Sequence, residues 1–283
     1  MLPQAAMPAT ASWRGSALGA VATITLGGMG RAAAGGVFAA IESELSRLEN
    51  IFSLYREASA LSRLNRFAYL DAPPSELLEV LVLCHALNDA SKGAFDPTVQ
   101  PLWRFLTNGA TDSVPDLRVA RQLVGWDRVV IAESRIGFAR PGMAITLNGI
   151  AQGYITDRIA ALLRARGFDN VMIDIGEIAA LGRNHGALWS AEIAAPDGKV
   201  ARRLTLQDRC LAVSATMGTV LGGIHHIIEP RSDTLVQPRQ LAAVSADSAA
   251  LADGLSTGCC LLSDDEAVAA VARFPGARLE TLI

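Results

Sequence analysis

The most distinctive stretch of the sequence sets a carboxylate and a hydroxyl into an apolar helical pattern. In LADGLSTGCCLL, residues 251–262, small and apolar residues surround Asp253 and Thr257. Residues four positions apart lie on the same face of a helix, so both oxygens point the same way. Burial of an unpaired charge is costly. Two interpretations follow: a local hydrogen-bonded pair, or a functional site that uses both groups.

A second stretch with chemical potential is ITLNGIAQGY, residues 145–154. It runs from a predicted strand through Gly149 and Gly153 into the start of a predicted helix. Backbone amides at such a junction are suited to bind a phosphate. The stretch matches neither the G-x-G-x-x-G pattern nor the P-loop, so a simple turn is the alternative.

Three further polar clusters interrupt apolar patterns: FSLYREASALSRLNR at 52–66, GAFDPTVQPLW at 93–103 and HHIIEPRSD at 225–233. Asp96 precedes a proline, which favours an extended conformation, and Thr98 can cap the helix that follows. Two adjacent histidines on a strand point to opposite faces. We therefore expect one of His225 and His226 to be buried and the other solvated.

The elements that must position these clusters follow from hydrophobic periodicity. Helices are predicted at 37–52, 75–93, 115–124, 153–167, 251–262 and 263–274. Strands are predicted at 19–26, within 128–147, and at 168–182, 188–194, 202–206, 210–214, 225–229, 241–246 and 277–283. Helices concentrate in the first half and strands in the second, which predicts an α+β fold. We expect a flexible tail at 1–14 and one domain at 15–283.

Composition excludes several classes of protein. The chain has 283 residues, 51% hydrophobic and 19% charged, which is typical of a globular protein. A net charge of −3 gives no reason to expect nucleic acid as a partner. No apolar run is long enough to span a membrane, and residues 1–15 lack the pattern of a secretory signal. The four cysteines form no C-x-x-C motif and are predicted to be core residues.

Taken together and in order, the clusters resemble the ApbE family of FAD:protein FMN transferases. The resemblance is carried by ALGAVATI, FSLYREASALSRLN, GAFDPTVQPLW, LNGIAQGYITDRIAALLRARG, HHIIEPRS and ALADGLST. It implies mostly antiparallel sheets flanked by helices, with two lobes around an FAD cleft. It also implies a reaction in which FMN passes from FAD to a Thr or Ser hydroxyl of a partner flavoprotein as a phosphoester and AMP is released.

The resemblance implies a magnesium site. Hard cations prefer oxygen ligands, and Asp253 and Thr257 would supply two of them. In similar proteins a backbone carbonyl from the glycine-rich turn supplies a third, here expected at Gly149. The cation would offset charge that develops on the pyrophosphate.

The resemblance also implies which residues bind FAD and act on the acceptor. His226 is expected to be the general base, because imidazole titrates near neutral pH. The residues expected to contact FAD are Leu18, Tyr55, Ala94, Phe95, Asp96, Thr146, Gln152 and Ile227. For Leu18 and Ile227, a role in the core is the alternative.

Five positions or segments depart from the family pattern. Two of them are VSATM at 213–217, which lacks a usual Ser-Gly step, and EPRSD at 229–233, where Glu229 replaces the usual Asp and no Thr-Gly follows. Gln152 stands where lysine is common, Thr146 stands where an aspartate is frequent, and Glu177 falls where a Gly-Gly pair is usual. Two alternatives to the transferase are a non-catalytic FAD-binding protein and a metal-dependent FAD pyrophosphatase that releases FMN and AMP. The family's acceptors are membrane-bound electron-transfer flavoproteins, which implies a periplasmic location. The sequence does not identify the acceptor or the oligomeric state.

Overall fold

The fold was analysed in a computed structural model that describes residues 9–30, 32–107, 114–216, 220–221, 224–232 and 238–283. Its helices are α1 (Gly35–Phe52), α2 (Ala60–Phe67), α3 (Ser75–Ala90), α4 (Gln100–Thr107), α5 (Val114–Gln122), α6 (Ala151–Ala165), α7 (Ala249–Cys259) and α8 (Asp264–Ala272). Short 3₁₀ turns occupy Pro97–Val99 and Trp126–Arg128.

The strands of the described residues fall into four sheets. They are β1 (Thr10–Ala17), β2 (Ala20–Gly27), β3 (Tyr69–Asp71), β4 (Val129–Ala132), β5 (Arg135–Phe138), β6 (Val171–Asp174), β7 (Ile178–Leu181), β8 (Trp189–Ala194), β9 (Val200–Leu206), β10 (Arg209–Ala215), β11 (Val220–Leu221), β12 (Ile224–His225), β13 (Leu241–Ala246) and β14 (Arg278–Leu282). The largest sheet has the order β1-β2-β6-β7-β10-β13-β14, and each neighbouring pair is antiparallel. This arrangement confirms the predicted α+β class with mostly antiparallel strands.

The large sheet is covered on both faces, and β13 shows how. Ala242, Val244 and Ala246 belong to the main core cluster, which also contains residues of α6 and α7. Leu241 and Ala243 belong to a second cluster that includes Trp189 and Ile193 of the β8–β9 hairpin. Because side chains of a strand alternate between faces, β13 needs small or apolar residues throughout, and all of its positions are buried.

Several boundaries differ from the sequence predictions. Residues 10–14 of the expected tail belong to β1. This strand pairs with β2, and its Ala11 and Trp13 side chains are buried. The predicted strand 168–182 is two strands, because Gly176 forms a turn with φ of 89°. At 225–229 only His225 lies in a strand, β12. The helix predicted at 75–93 begins at Ser75 as expected but ends at Ala90.

Local features of the sequence account for two helix ends and for the cysteines. Gly93 follows α3 with φ of 82°, and Ser263 caps α8 in a capping box with Glu266. The four cysteines are free and buried, as a core role requires. None of the described helices is long and apolar enough to cross a membrane.

Candidate functional site

A cavity of about 600 Å³ is bounded by the loop before α4, the segment leading into α6, strand β10, α7 and the stretch after β12. This volume is in the range of small-molecule sites. It is lined by Leu18, Tyr55, Ala94, Phe95, Asp96, Pro97, Val99, Trp103, Thr146, Asn148, Gly149, Gln152, Glu177, Val213, Ser214, Ala215, His226, Ile227, Ile228, Asp253, Thr257 and Leu261. Every residue that the sequence analysis assigned to a site therefore lies on one cavity.

Helix α7 brings Asp253 and Thr257 to the part of the lining that also contains Gly149, Ser214 and Glu177. We call this cluster the polar end of the cavity. Asp253 is buried, and its Oδ2 accepts a hydrogen bond of 3.1 Å from the backbone N–H of Gly153 on α6. The Thr257 hydroxyl lies 3.2 Å from the hydroxyl of Ser214 on β10. Among the described contacts the two side chains thus find partners on other elements, which argues against a local pair.

Close packing of α6 and α7 fixes this geometry. A Cβ on Gly153 would lie 2.4 Å from the carbonyl oxygen of Ala249, so only glycine allows this approach. At the amino end of α7, Asp157 accepts hydrogen bonds from the hydroxyl of Ser248 (2.7 Å) and the backbone N–H groups of Ala249 (2.8 Å) and Ala250 (3.0 Å). Asp157 therefore joins α6 to the first turn of α7.

Gly149 lies against the Thr257 hydroxyl. A Cβ built on Gly149 would be 2.7 Å from Thr257 Oγ1 and 2.9 Å from Thr257 Cγ2. The segment that leads to Gly149 is anchored by Asn65, whose amide donates to the carbonyl of Ile145 and accepts from its N–H, each at 2.8 Å. The glycine-rich turn and α7 are therefore adjacent, as the proposed ligand set requires.

Two buried carboxylates meet at this end of the cavity. Burial raises the pKa of Asp253 to about 7, and the N–H of Gly153 acts in the opposite direction. Burial also raises the pKa of Glu177 well above its usual value, and the negative charge of Asp253 raises it further. The Oε2 atom of Glu177 is buried and has no hydrogen-bond partner within the described part of the chain. Ionised carboxylates in such a position require a compensating positive charge.

These observations test whether a divalent cation suits the site. Among the described residues, no three His, Cys, Asp or Glu side chains cluster as a metal centre. Asp253, Glu177, the hydroxyls of Thr257 and Ser214, and the nearby backbone of Gly149 instead offer oxygen atoms only. Oxygen donors with carboxylate charge suit Mg²⁺, which usually retains several waters. The residues therefore fit a hard cation.

The Ala94–Asp96 segment lines another wall. Phe95 is held at both backbone groups, because its N–H donates to the Ser91 hydroxyl (2.9 Å) and its carbonyl accepts from the Asn88 amide (2.9 Å). Asp96 Oδ1 accepts from the N–H and hydroxyl of Thr98, at 2.8 and 2.6 Å. Asp96 therefore caps the 3₁₀ turn Pro97–Val99 that precedes α4, whereas the sequence had suggested Thr98 as the cap. Burial raises the pKa of Asp96.

Leu18 and Tyr55 reach the cavity from the chain's first hairpin and the loop after α1. Leu18 occupies the β1–β2 turn with φ of 48°, and its N–H donates to Glu49 at 2.9 Å. Tyr55 is 79% exposed although it borders the cavity. An exposed ring at a cavity edge can pack against a bound aromatic group.

Two of the positions that depart from the family pattern, Thr146 and Gln152, lie against backbone segments that border the cavity. The N–H of Thr146 donates to the carbonyl of Pro97 at 2.8 Å, and its hydroxyl accepts from the N–H of Asn148 at 3.3 Å. The Gln152 amide packs over the turn at Gly176, where its Nε2 would lie 2.9 Å from a Cβ. Gln152 therefore borders the same turn that carries Glu177.

The stretch after β12 contributes His226 and Ile227. The His226 side chain is exposed and borders the cavity, whereas Ile227 is buried and belongs to the main core cluster. The orientation of the His225 side chain lies outside what the structure describes, so the choice between the two histidines stays a prediction. Ile227 can both pack in the core and contact a ligand.

The cavity is also lined by residues that were not predicted from the sequence, among them Ser214, Asn148, Trp103, Val99 and Ile228. Strand β10 reads as an ordinary buried strand, and nothing in its pattern marks Ser214 as a neighbour of Thr257. Trp103 and Val99 follow the GAFDP motif at helical spacing, which could have indicated them as a continuation of the same wall. Together with Ile228 they add apolar surface to the lining of the cavity.

Comparison with known proteins shows the same architecture elsewhere. The family model described as "ApbE family" matches residues 18–281. A curated FAD:protein FMN transferase from Vibrio cholerae is 28% identical over 247 residues, which cover 81% of this chain and 74% of that protein. The corresponding transferase from Haemophilus influenzae is 28% identical over 257 residues, which cover 81% and 73%.

Solved structures agree with the sequence comparison. The flavin transferase ApbE from Vibrio cholerae superimposes with a TM-score of 0.80 at 25% identity, covering 93% of this chain and 90% of that one. The apo flavinyl transferase ApbE from Pseudomonas stutzeri gives a TM-score of 0.80 at 26% identity, covering 93% and 87%. With the family match extending over nearly its whole length, this chain belongs to the ApbE family.

Proposed function

We propose that the protein transfers FMN from FAD to a hydroxyl of a partner flavoprotein, with release of AMP, and that the reaction depends on Mg²⁺. The observation that carries this proposal is the convergence of Asp253, Thr257 and Gly149 at the polar end of a cavity of about 600 Å³. The activity is that of the curated relatives, which are named FAD:protein FMN transferases.

The cavity lining offers surfaces for the two kinds of chemistry in FAD. The apolar wall of Phe95, Val99, Trp103 and Ile228 is suited to pack against ring systems. The oxygen-rich end is suited to a cation, and a bound divalent cation would offset negative charge on the pyrophosphate. We infer that Asp253, Thr257 and the backbone of Gly149 hold that cation.

In the proposed reaction the acceptor hydroxyl oxygen forms a bond to the phosphorus on the FMN side of the pyrophosphate. The bond from that phosphorus to the bridging oxygen breaks, and AMP leaves with the bridging oxygen. The hydroxyl proton passes to a base, for which we propose His226, because it borders the cavity and its exposed side chain can be reached from solvent. Tyr55 lies at the same open edge and is available to a bound ring.

The test is a transfer assay with a flavoprotein acceptor domain or a peptide that carries its threonine. The protein is incubated with FAD and Mg²⁺, with and without the acceptor, and products are followed by mass spectrometry and chromatography. A mass gain of FMN on the acceptor supports transfer. Free FMN and AMP in both samples would indicate a pyrophosphatase instead, and bound FAD without either product would indicate a binding protein.

Asp253→Asn is the variant that tests the cation's role in transfer. We expect a loss of Mg²⁺-dependent transfer of at least about a hundredfold, since the amide removes a charged ligand. Asp265→Asn, an exposed change on α8, is the matched control and should leave transfer unchanged. Near wild-type activity in Asp253→Asn would overturn the cation assignment.

His226→Ala and His225→Ala test the base. We expect transfer to fall by about a hundredfold or more in the first variant, the usual range for a general base, and to persist in the second. Loss in His225→Ala alone would reverse the assignment. A membrane-bound electron-transfer acceptor and a periplasmic location are further parts of the proposal, and their support is the resemblance to the family.

A further inference from the structure

Glu177 is the most unusual charged residue of the cavity. It lies in the turn between β6 and β7, is 7% exposed, and borders the cavity beside Asp253. Its Oε2 has no hydrogen-bond partner within the described residues. Native proteins rarely leave a buried carboxylate oxygen unsatisfied, so this atom indicates a partner that the protein atoms do not supply.

The turn itself does not need the Glu177 side chain. The backbone carbonyl of Glu177 accepts from the N–H of Ile175 at 3.1 Å and from the hydroxyl of Thr156 at 3.5 Å. Gly176 supplies the positive φ that the turn requires. These contacts would persist with another residue at 177. The carboxylate adds an interaction with the backbone N–H of Val213 on β10, and its Oε2 remains without a partner among the described residues.

A second buried glutamate shows what a structural carboxylate looks like in this protein. Glu229 is 6% exposed, and its two oxygens accept hydrogen bonds of 2.8 and 2.7 Å from the guanidinium of Arg231. Glu177 instead lies near the negative charge of Asp253, and its carboxylate interacts with the neutral backbone N–H of Val213. Within the described residues no arginine or lysine pairs with Glu177, so a bound cation would supply the charge that Arg231 supplies to Glu229.

We propose that Glu177 supplies a second carboxylate to the cation site at Asp253, an inference that rests on the function proposed above. Two carboxylates would balance the charge of one divalent ion, and the hydroxyls of Thr257 and Ser214 add neutral oxygen donors. The number of charged ligands tunes the affinity of such sites. The expected consequence is tight binding of Mg²⁺ before FAD arrives.

The experiment uses Glu177→Gln in the full chain, which keeps the shape of the side chain and removes its charge. Mg²⁺ affinity of the FAD-free protein is measured by titration calorimetry, with Mn²⁺ as a second probe. We expect the variant to bind Mg²⁺ at least about tenfold more weakly. We also expect its melting temperature in EDTA to be equal to or above that of the wild type, and its gain on adding Mg²⁺ to be smaller.

Two controls make the result specific. Glu192→Gln removes an exposed carboxylate of β8 that pairs with Arg203, and its Mg²⁺ affinity should equal that of the wild type. Glu177→Asp keeps the charge on a shorter side chain and should recover part of the affinity. If Glu177→Gln does not fold, the carboxylate has a structural role and the proposal fails.

The outcomes separate this inference from the proposed function. If Glu177→Gln binds Mg²⁺ within twofold of the wild type while the wild type transfers FMN, the inference fails and the function stands. If the wild type neither binds Mg²⁺ nor transfers FMN, both fail. If transfer occurs and Mg²⁺ binding weakens in Glu177→Gln but not in Glu192→Gln, both are supported.

Discussion

Asp253 lies on α7, and Asp157 on α6 contacts the amino end of that helix, but the two carboxylates have different surroundings. At the amino end of α7, Asp157 accepts hydrogen bonds from Ser248, Ala249 and Ala250. Further along α7, the described structure gives Asp253 a hydrogen bond from Gly153, while the adjacent Glu177 has an unsatisfied oxygen. The donors at Asp157 are those of a structural cap. Asp253 and Glu177 have fewer hydrogen-bond donors, as is typical of carboxylates that bind a cation.

The sharpest test of this comparison is the pH dependence of stability without metal. The folded pKa of Asp253 is about 7, above its usual value of 3.8. Between these values the folded state binds a proton that the unfolded state lacks, so stability falls as pH rises and levels off above about pH 7. We expect a decrease of up to roughly 4 kcal/mol across this window.

Thermal unfolding in EDTA from pH 4.5 to 8 measures this decrease. Asp253→Asn should flatten the profile in part, because Glu177 also has a raised pKa and contributes in the same direction. Mg²⁺ should restore stability most strongly at high pH. A metal-free stability that rises between pH 5 and 7 would contradict the comparison.

The second prediction concerns the close packing of α6 against α7, which positions Asp157 and Asp253. In Gly153→Ala the new methyl would clash with backbone atoms of Ala249 and Ala250, which cannot move without shifting α7. We expect a loss of about 3 kcal/mol in the free energy of unfolding, together with loss of transfer. Gly36→Ala on α1, where a Cβ meets nothing within 4 Å, is the matched control and should not lower stability.

The third prediction concerns Asp157, the carboxylate that we interpret as structural. Asp157→Asn retains one acceptor and places an amide donor opposite the N–H groups of α7. We expect a loss of about 2 kcal/mol, measured by denaturant unfolding. Mg²⁺ affinity should change less than in Asp253→Asn, because Asp157 acts on the helix and is no ligand in this interpretation. An equal loss of affinity in both variants would remove the distinction.

The smallest expected effect compares adjacent hydroxyls on α7. Ser256 is buried away from the cavity, 2.7 Å from the Ser214 hydroxyl, whereas Thr257 borders the cavity. Ser256→Ala should cost about 1 kcal/mol of stability and leave Mg²⁺ affinity unchanged. Thr257→Val should lower Mg²⁺ affinity with little change in stability. If Ser256→Ala lowers Mg²⁺ affinity and Thr257→Val does not, the assignment of Thr257 as a ligand is wrong.

The sequence predicted the residues around the cavity better than it predicted their partners. The helix spacing of Asp253 and Thr257 placed both on one face of α7, and the motif order placed them with Gly149 and Asp96. The contacts of Thr257 with Ser214 and of Asp253 with Gly153 depend on how β10 and α6 pack against α7. Such contacts join residues far apart in the chain, and local periodicity carries no information about them.

The strand boundaries failed for a related reason. The apolar residues of 168–182 predicted one strand, but Gly176, with φ of 89°, forms a turn that divides it into β6 and β7. That turn exposes Gly176 and buries Glu177. Glu177 departs from the family pattern in the sequence, but its position near Asp253 follows from the turn.

The burial of every cysteine has a consequence for handling and labelling the protein. Burial raises the pKa of Cys210, Cys259 and Cys260 to about 12 and raises that of Cys84 as well. Because the thiolate is the reactive species, the native protein should resist iodoacetamide and air oxidation at neutral pH. Alkylation would then report unfolding, with the neighbouring pair Cys259 and Cys260 acting as a built-in sensor of the opening of α7.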